Sequence, residues 1–461
     1  AFLEGFYYHP RVDKSLLRRA SDGRYDMLET VRQYAAAKLQ EVPDEEVQAR
    51  AWHGRFYAHF LQQRENSIRG EQQKTALEEI GAEIENVRAA WTWALEPGRE
   101  AELGQSLECL HLFYEMRSWF QEGEEAFGRA VEQLHGRPAA AAVLGKLLTR
   151  QAWFCERLAR YGQARELYQA GLEAARAHGT AAETALALSG LGLITYRQGD
   201  YARAQELLQE GLACAAAADE PWRRAQALNN LGMVAIARGE GAAAQELCHQ
   251  VLALYRKIGY RRGIAGTLNN LGGVAGTLGD HAAARQLYQE SRDFFREIGD
   301  RRGLAFVLNN QGHVLEALGE YPEAEALCQE SLAIFREIGD RWGIANTLNN
   351  LGALACTLGD CDSSRRYLNE ALDRATELGA IPLALEALAG LAGNLALAED
   401  WEGAAEVTAA VLHHPACDRE TRQRAERTRA NAEAQLAPAA AAAARARGES
   451  QPLAELLKRV R

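Results

Sequence analysis

The sequence predicts an all-α fold, a solenoid of stacked helix-turn-helix units, and three observations support this prediction. The block Leu228-Asn229-Asn230-Leu231-Gly232 returns every 40 residues, at 268–272, 308–312 and 348–352. Each unit carries apolar residues at helical spacing. Of the 461 residues, 47% are apolar and only 10 are Pro. A fixed period of this size is typical of repeats that bury their faces only against neighbouring repeats.

Each unit contains two helices. In residues 308–347, Leu308, Gln311 and Leu315 fall on one stripe, which predicts a first helix. A Gly-acid turn follows, and glycine tolerates the left-handed conformation that ends helices. A second apolar stripe then predicts a helix that runs to Ile338.

Small residues recur where the two helices of a unit must approach closely. A bulky side chain there would cost about 1–3 kcal/mol. On the first helix these residues are Gly232, Gly272, Gly312 and Gly352, and on the second helix they are Ala204, Ala244, Ala284, Ala324 and Ser364.

This unit resembles the tetratricopeptide repeat. The matching features are the Leu-Gly pair of the first helix, the Gly-acid turn, and the small residue four or five positions later. The period is 40 instead of the usual length of about 34. The resemblance implies a right-handed superhelix of about seven to eight repeats.

The N-terminal residues have a different pattern. Residues 11–18 and 24–28 predict two strands around the turn Ser21-Asp22-Gly23, and 29–41 predict a helix. The strings VDKSLL (12–17) and RYDMLETVRQYA (24–35) are similar to the end of the winged-helix domain of bacterial STAND-class signal-transduction ATPases.

The resemblance to the STAND class extends over most of the chain. The string ENVRAAWTWAL (85–95) is similar to the helical stretch after that winged-helix domain, and 111–134 resemble a degenerate first repeat. Residues 1–10 match no pattern. The resemblance implies four segments, namely the C-terminal part of a winged-helix domain (1–42), a helical linker with the degenerate repeat (43–143), the superhelix (144–410) and a helical cap (411–461).

Catalytic and cofactor motifs are not found. The chain has no GxxxxGK[ST], GxSxG or HExxH motif, and Gly145-Lys146-Leu147 lacks the spacing of a phosphate loop. The pair His413-His414 has no second ligand pair nearby. We therefore predict no enzyme activity, cofactor or metal, and we expect ATPase activity in an upstream nucleotide-binding domain absent from this chain. The start at Ala1 instead of Met is in keeping with a piece of a longer protein.

Charge and composition restrict the partners. The net charge of −11 argues against a surface that coats nucleic acid. There is no apolar run of about 18 residues that would predict a membrane span. The eight Cys form no CxxC pair, which favours reduced thiols in the cytoplasm. We expect the isolated chain to be a monomer.

Pairs of Asn in the middle of the first helices are the strongest candidates for a binding site, because Asn is a mediocre helix former. They could line a groove and bind the backbone of an extended peptide, as the resemblance supports. Alternatively, one Asn of each pair could bond to the backbone of the neighbouring repeat. The pairs are Asn229, Asn230, Asn269, Asn270, Asn309, Asn310, Asn349 and Asn350.

Phe306, His313 and Glu316 lie close to one of these pairs in the sequence. They could form a polar and aromatic contact site for a ligand, or they could be ordinary surface residues. Tyr196 and Arg197 occupy a similar place three repeats earlier. The arginines Arg261-Arg262 and Arg301-Arg302 are interpreted as capping and surface ion pairs.

These observations predict a ligand-sensing and autoregulatory module of a STAND-type ATPase. The family resemblance implies that an inducer (a peptide, a protein or a small molecule) binds the groove between about 226 and 357 and releases the ATPase. The alternatives are a stand-alone scaffold that tethers protein partners, and a DNA-binding regulator that acts through the winged helix. The net charge argues against the DNA-binding regulator.

Overall fold

A computed structural model describes residues 17–19, 25–27, 29–70, 72–178, 180–453 and 455–456. Apart from two three-residue strands, the regular elements in these ranges are helices, so the predicted all-α class is confirmed. The chain divides into two compact units. The first comprises Ala1–Ile68, Gln72–Phe113 and Gly136–Val143, and the second comprises Arg69–Glu71, Tyr114–His135 and Leu144–Arg461.

The strands β1 (Leu17–Arg19) and β2 (Tyr25–Met27) pair in antiparallel register, with Leu17 opposite Met27. Residues 1–16 and the connection at 20–24 lie outside the described residues. The winged-helix hairpin is therefore not shown and stays a prediction. The helix expected after it runs from Glu29 to Gln40.

The first unit is helical beyond these strands. Its helix α2 packs against α4, where Gly54 lies on the face of the Trp93 ring. The Tyr57 hydroxyl also donates a hydrogen bond to Glu83 Oε2 at 2.8 Å. The helices that contribute to this unit are α1 (Glu29–Gln40), α2 (Pro43–Arg69), α3 (Gln73–Ala82), α4 (Ile84–Ala94) and α5 (Glu100–Met116).

The second unit is an array of antiparallel helix pairs in which consecutive helices from α8 to α21 pack on each other, and α22 packs on α20. Its helices are α6 (Phe120–Leu134), α7 (Ala141–Arg157), α8 (Tyr161–Ala177), α9 (Ala181–Arg197), α10 (Tyr201–Ala217), α11 (Pro221–Arg238), α12 (Gly241–Ile258), α13 (Arg261–Thr277), α14 (His281–Ile298), α15 (Arg301–Ala317), α16 (Tyr321–Ile338), α17 (Arg341–Thr357), α18 (Cys361–Leu378), α19 (Ile381–Leu397), α20 (Trp401–His413), α21 (Arg419–Ala434) and α22 (Pro438–Ser450).

The lengths of these elements explain the period of 40 residues. A first helix of 17 residues, a turn of three, a second helix of 18 and a turn of two make up one repeat, as in α13 and α14. The short turn is possible because Gly299 adopts a left-handed φ of 73°. Asp300 then caps the next helix by accepting a bond from the Gly303 N–H at 2.9 Å.

The predicted close approach of the two helices is confirmed at most of the small residues. A Cβ on Gly312 would lie 2.6 Å from Cys328 Sγ, and one on Gly352 would lie 2.5 Å from Leu368 Cγ. Gly232 differs, because a Cβ there would meet Cys248 Sγ at an ordinary 3.6 Å. The second-helix positions Ala204, Ala244, Ala284, Ala324 and Ser364 are fully buried.

Candidate ligand-binding groove

The predicted site residues lie on α11, α13, α15 and α17, the first helices of four successive repeats. First helices of neighbouring repeats pack directly on each other, so equivalent positions form rows. On α15, Arg302, Phe306, Asn310 and His313 are three or four residues apart and share one stripe. We call this stripe and its equivalents on the other first helices the inner face.

The Asn residues of the inner face bond to each other across repeats. Asn270 Nδ2 donates to Asn229 Oδ1 at 2.9 Å, and Asn310 Nδ2 donates to Asn269 Oδ1 at 3.0 Å. Each bond joins the second Asn of one repeat to the first Asn of the repeat before it. All four side chains are half-buried. Because an amide can make up to four hydrogen bonds, each one keeps capacity for a further partner.

The row changes at its C-terminal end. Asn349 is fully buried and donates to Leu383 O and to Glu386 Oε2, both at 3.0 Å. Asn309 is also fully buried, yet neither atom of its amide has a hydrogen-bond partner among the described residues. An unsatisfied buried amide costs about 1–3 kcal/mol. The row is therefore incomplete between α15 and α17. Asn230 is buried and Asn350 is half-buried.

Phe306 is held in an aromatic cluster. Its ring meets the Phe335 ring at 4.7 Å and the Trp342 ring at 5.8 Å between centroids, and the Arg302 guanidinium lies 4.7 Å from its centre. The side chain is half-buried. Phe306 is thus partly used in packing between successive repeats.

His313 pairs with the C-terminal segment of the chain. Its Nε2 lies 3.1 Å from Glu420 Oε1 of α21, and the two side chains are 41% and 52% exposed. The Glu420 carboxylate raises the pKa of His313 to about 9, and His313 in turn lowers the pKa of Glu420 to about 2. His313 is therefore a cation at neutral pH, and the pair connects α15 to α21.

Glu316 has a different partner, because its Oε1 accepts a hydrogen bond from Thr357 Oγ1 of the next repeat at 2.9 Å. Phe306 and Glu316 are about 15 Å apart along α15, at 1.5 Å per residue. The structure thus places Phe306, His313 and Glu316 on one helix, but each contacts a separate group.

The sequence did not predict a set of contacts between distant repeats. The Arg197 guanidinium at the end of α9 lies 4.8 Å from the centre of the Trp342 ring at the start of α17. Arg262 at the start of α13 pairs with Glu115, in the last part of α5, which belongs to the second unit. Both contacts join the start of a first helix to the end of one about four repeats earlier. The inner face is therefore partly covered by helices of the same chain.

The second Arg of each doublet is only 16% or 12% exposed and pairs with a buried Asp, so it is less exposed than its interpretation as a surface residue implied. Arg262 Nε lies 2.6 Å from Asp300, and Arg302 Nε lies 2.6 Å from Asp340. Burial alone would raise the pKa of Asp340, but Arg302 and the Gly343 N–H together hold this pKa below its usual value. Arg262 and Asp300 are 38 positions apart in the sequence, as are Arg302 and Asp340. This equal separation could have predicted the pairs. Arg301, in contrast, forms an exposed pair with Glu337.

Glu386 of α19 lies beside the Asn row and bonds to Asn349. Burial raises its pKa to about 7, although Arg424 and the Asn349 amide act in the opposite direction. Glu420 and Asp418 also face it and add to the increase. This carboxyl group therefore holds its proton to a higher pH than an exposed glutamate does, and its Oε2 accepts a bond from Asn349.

Neither a membrane-spanning helix nor a metal-ligand cluster is found among the described residues. None of the helices there combines the length and apolarity that crossing a membrane requires. No three His, Cys, Asp or Glu side chains in that part of the chain are grouped to hold a metal ion.

Family models identify the repeats. Residues 223–297 and 303–377 match one tetratricopeptide repeat model, and 184–218 match another. Tetratricopeptide arrays are typically non-catalytic scaffolds for protein interaction. The matched residues therefore form tetratricopeptide repeats, and these repeats support a protein-interaction or regulatory module.

Two groups of known proteins are similar to this chain. Candidate HTH-type transcriptional regulators of Mycobacterium bovis and Mycobacterium tuberculosis are 31% identical to it over 147 residues. The match covers 31% of this chain but only 16% of those regulators. Among solved structures, a Rap protein complexed with competence and sporulation factor superposes with a TM-score of 0.58 at 13% identity, over 81% of this chain and 98% of the Rap chain. This likeness shows a shared fold.

Proposed function

We propose that this chain is the ligand-sensing and autoregulatory module of a larger STAND-type signalling protein, and that its inducer is an extended peptide segment bound along the inner face between 226 and 357. The observation that carries the proposal is the row of half-buried amides on α11, α13 and α15. Their unused donors and acceptors are the groups that bind a peptide backbone.

The end of the row adds to this argument. Asn309 has no partner for either atom of its amide, although it is fully buried. A backbone amide of the inducer, reaching α15 after a small rearrangement, would supply the missing bonds. The hydrogen bonds to Asn309, which the unliganded chain does not form, would then stabilise the complex with the inducer.

The contacts between distant repeats supply the regulatory part of the proposal. Arg197 and Trp342 contact each other over the inner face, and His313 is paired with Glu420 of α21. An inducer on the inner face would compete with these contacts. The chain would then exist in two states, and the inducer would favour the open one by its difference in affinity.

The match to regulators much longer than the matched segment favours a role within a larger protein. Control of an upstream nucleotide-binding domain is the output we propose. The name of those relatives favours transcription as the process that is controlled.

Peptides selected from a random display library against the full chain test the proposal. Their affinities are measured by calorimetry for the wild type, for the double variant Asn270→Ala/Asn310→Ala and for Gln329→Ala. Gln329 is a matched control, because its amide bonds across repeats to Tyr367 Oη at 3.1 Å but lies exposed on a second helix. We expect the double variant to bind about tenfold to a hundredfold more weakly, from about 1–3 kcal/mol, and the control to bind as the wild type does. Equal affinity for all three proteins would contradict the proposal.

A further inference from the structure

A row of exposed leucines lies at the turns between first and second helices, away from the Asn row. Leu278, Leu318 and Leu358 directly follow α13, α15 and α17, and they are 55%, 43% and 51% exposed. Leu397, the last residue of α19, is 52% exposed. Single exposed leucines are ordinary, but three at one position of successive repeats, with Leu397 one residue before that position in the next repeat, form an apolar row. We call these four residues the leucine row.

The two preceding turns show what such a turn can bind. The corresponding residues there are polar, Gln198 and Arg238. Both turns are contacted by the segment around the start of α21, although Arg238 and Glu240 stay exposed. Tyr201 Oη donates to Ala416 O at 3.3 Å, and Arg419 Nη1 donates to Gly239 O at 2.9 Å.

The contacting segment leads into a basic helix, since α21 (RETRQRAERTRANAEA) has five Arg and three Glu. The two turns are therefore contacted by the beginning of a basic helix of this chain. The turns that carry leucine lie along the same edge of the array, and their leucines are 43% to 55% exposed.

Carboxylates border the leucine row. Asp280, Asp360 and Asp400 each follow the turn and accept a hydrogen bond from the backbone of the next helix. Glu320 occupies the same position in its repeat, where Arg285 lies 3.0 Å away and partly neutralises it. The edge is thus apolar with an acidic border, which is complementary to an apolar surface flanked by Lys or Arg.

The spacing of the row is compatible with a helical partner and excludes a β-strand. First helices that pack on each other lie about 8–10 Å apart, so the leucines follow each other at about that distance. Seven residues of an α-helix rise about 10.5 Å, and residues i and i+7 share one face. Three residues of extended chain also cover about 10 Å, but residues i and i+3 of a strand point to opposite faces. A helix fits the row and a strand does not.

We propose that the leucine row is a docking surface for an amphipathic, basic helix of a partner protein, with an apolar residue at every seventh position. This site is separate from the inner face and does not depend on the inducer.

A synthetic helix tests this proposal. The probe is a fluorescent peptide of four heptads with leucine at the first position of each heptad and lysines beside it. The comparison peptides are a scrambled sequence of the same composition and a version with glutamate in place of lysine. Binding to the full chain is followed by fluorescence anisotropy at several salt concentrations.

Two sets of substitutions locate the binding. Leu278→Ser/Leu318→Ser/Leu358→Ser removes the apolar contact. Asp280→Asn/Asp360→Asn/Asp400→Asn removes the charge but keeps an acceptor that caps the helix. Gln329→Ala is the control, because Gln329 is exposed on the second helix α16 and not at a turn of the leucine row. Circular dichroism melts show whether each variant is folded, and Leu318→Ser alone replaces the triple leucine variant if that variant does not fold.

We expect the leucine variant to bind the probe at least tenfold more weakly. The Asn variant should bind several-fold more weakly and with less dependence on salt. Gln329→Ala should bind as the wild type does, and the comparison peptides should not bind. Equal affinity of the wild type and the leucine variant would overturn the proposal. So would a dimer of the wild type in sedimentation that the leucine variant abolishes, because the occupant would then be a second copy of the chain.

Discussion

Arg197 and Trp342 are separated by 145 positions in the sequence, yet the Arg197 guanidinium lies 4.8 Å from the centre of the Trp342 ring. The same arginine lies 3.5 Å from the buried Glu156 carboxylate. A repeat array whose members contacted only their neighbours would not bring these residues together. The contact therefore reports how tightly the array winds, and it lies on the inner face where we place the inducer.

Trp342→Leu should weaken this contact between distant repeats. The substitution removes the ring that faces Arg197 and Phe306, so we expect the free energy of unfolding to fall by about 1–3 kcal/mol. Amide hydrogen exchange should become faster at the end of α9 as well as in α17. Tyr367→Leu is the control, because Arg366 lies 5.1 Å from that ring on a second helix, next to it in the sequence. If both variants change amide exchange at the end of α9 equally, the contact of Arg197 with Trp342 does not stabilise that helix end.

Asn270→Ala/Asn310→Ala should also destabilise the array without a ligand. Two hydrogen bonds between repeats are lost, at about 1 kcal/mol each. Urea unfolding should therefore show a decrease of about 2 kcal/mol, against less than about 1 kcal/mol for Gln329→Ala, whose bond is exposed. If the double variant is as stable as the wild type, the amide bonds between repeats are not formed in solution.

Gly312→Ala and Gly232→Ala form a matched pair. The added methyl group at position 312 would meet Cys328 Sγ at 2.6 Å and Ala324 O at 3.1 Å, so we expect a loss of about 1–3 kcal/mol. At position 232 the nearest atom is 3.6 Å away, and alanine should stabilise the helix by up to about 1 kcal/mol. Chemical denaturation of the two variants measures the difference. If Gly312→Ala is as stable as the wild type or more stable, the close approach at Gly312 is disproved.

Glu386 should give the array a stability that decreases with pH. Its pKa is about 7 in the folded chain because of burial, against about 4.5 for an ordinary glutamate. A raised folded pKa means that the contribution is complete below pH 4.5 and is lost as the pH rises through 7. Glu386→Gln should therefore gain stability relative to the wild type between pH 5 and pH 8.

Thermal melts of both proteins over this range provide the measurement. His313, with a pKa raised to about 9 by Glu420, loses its own contribution between pH 6.5 and pH 9 in both proteins. The difference between the two melts therefore isolates Glu386. A difference that does not change with pH would mean that Glu386 titrates like an exposed glutamate.

The local part of the fold could be predicted from the sequence. Helix stripes, the left-handed turn at Gly299 and the close approach at Gly312 each depend on residues within one repeat. The rows of Asn also followed from the period, since equivalent positions of neighbouring first helices must lie side by side.

The contacts between distant repeats could not be predicted in the same way. Whether Arg197 reaches Trp342 depends on the small rotation between successive repeats, which adds up over four of them. The pair of His313 with Glu420 depends in the same way on the position of α21, which is set by the rotations of the three repeats in between. The sequence pattern within one repeat does not give this accumulated rotation.

Hydrogen exchange of the full chain with and without a display-selected peptide tests the central claim most directly. If the peptide binds the inner face, amides of α11, α13 and α15 should become more protected. Exchange should become faster at the end of α9, where the contact of Arg197 with Trp342 is released. The second helices α12, α14 and α16 should not change. Protection confined to those second helices, or an end of α9 that stays equally protected when the peptide is bound, would contradict the account.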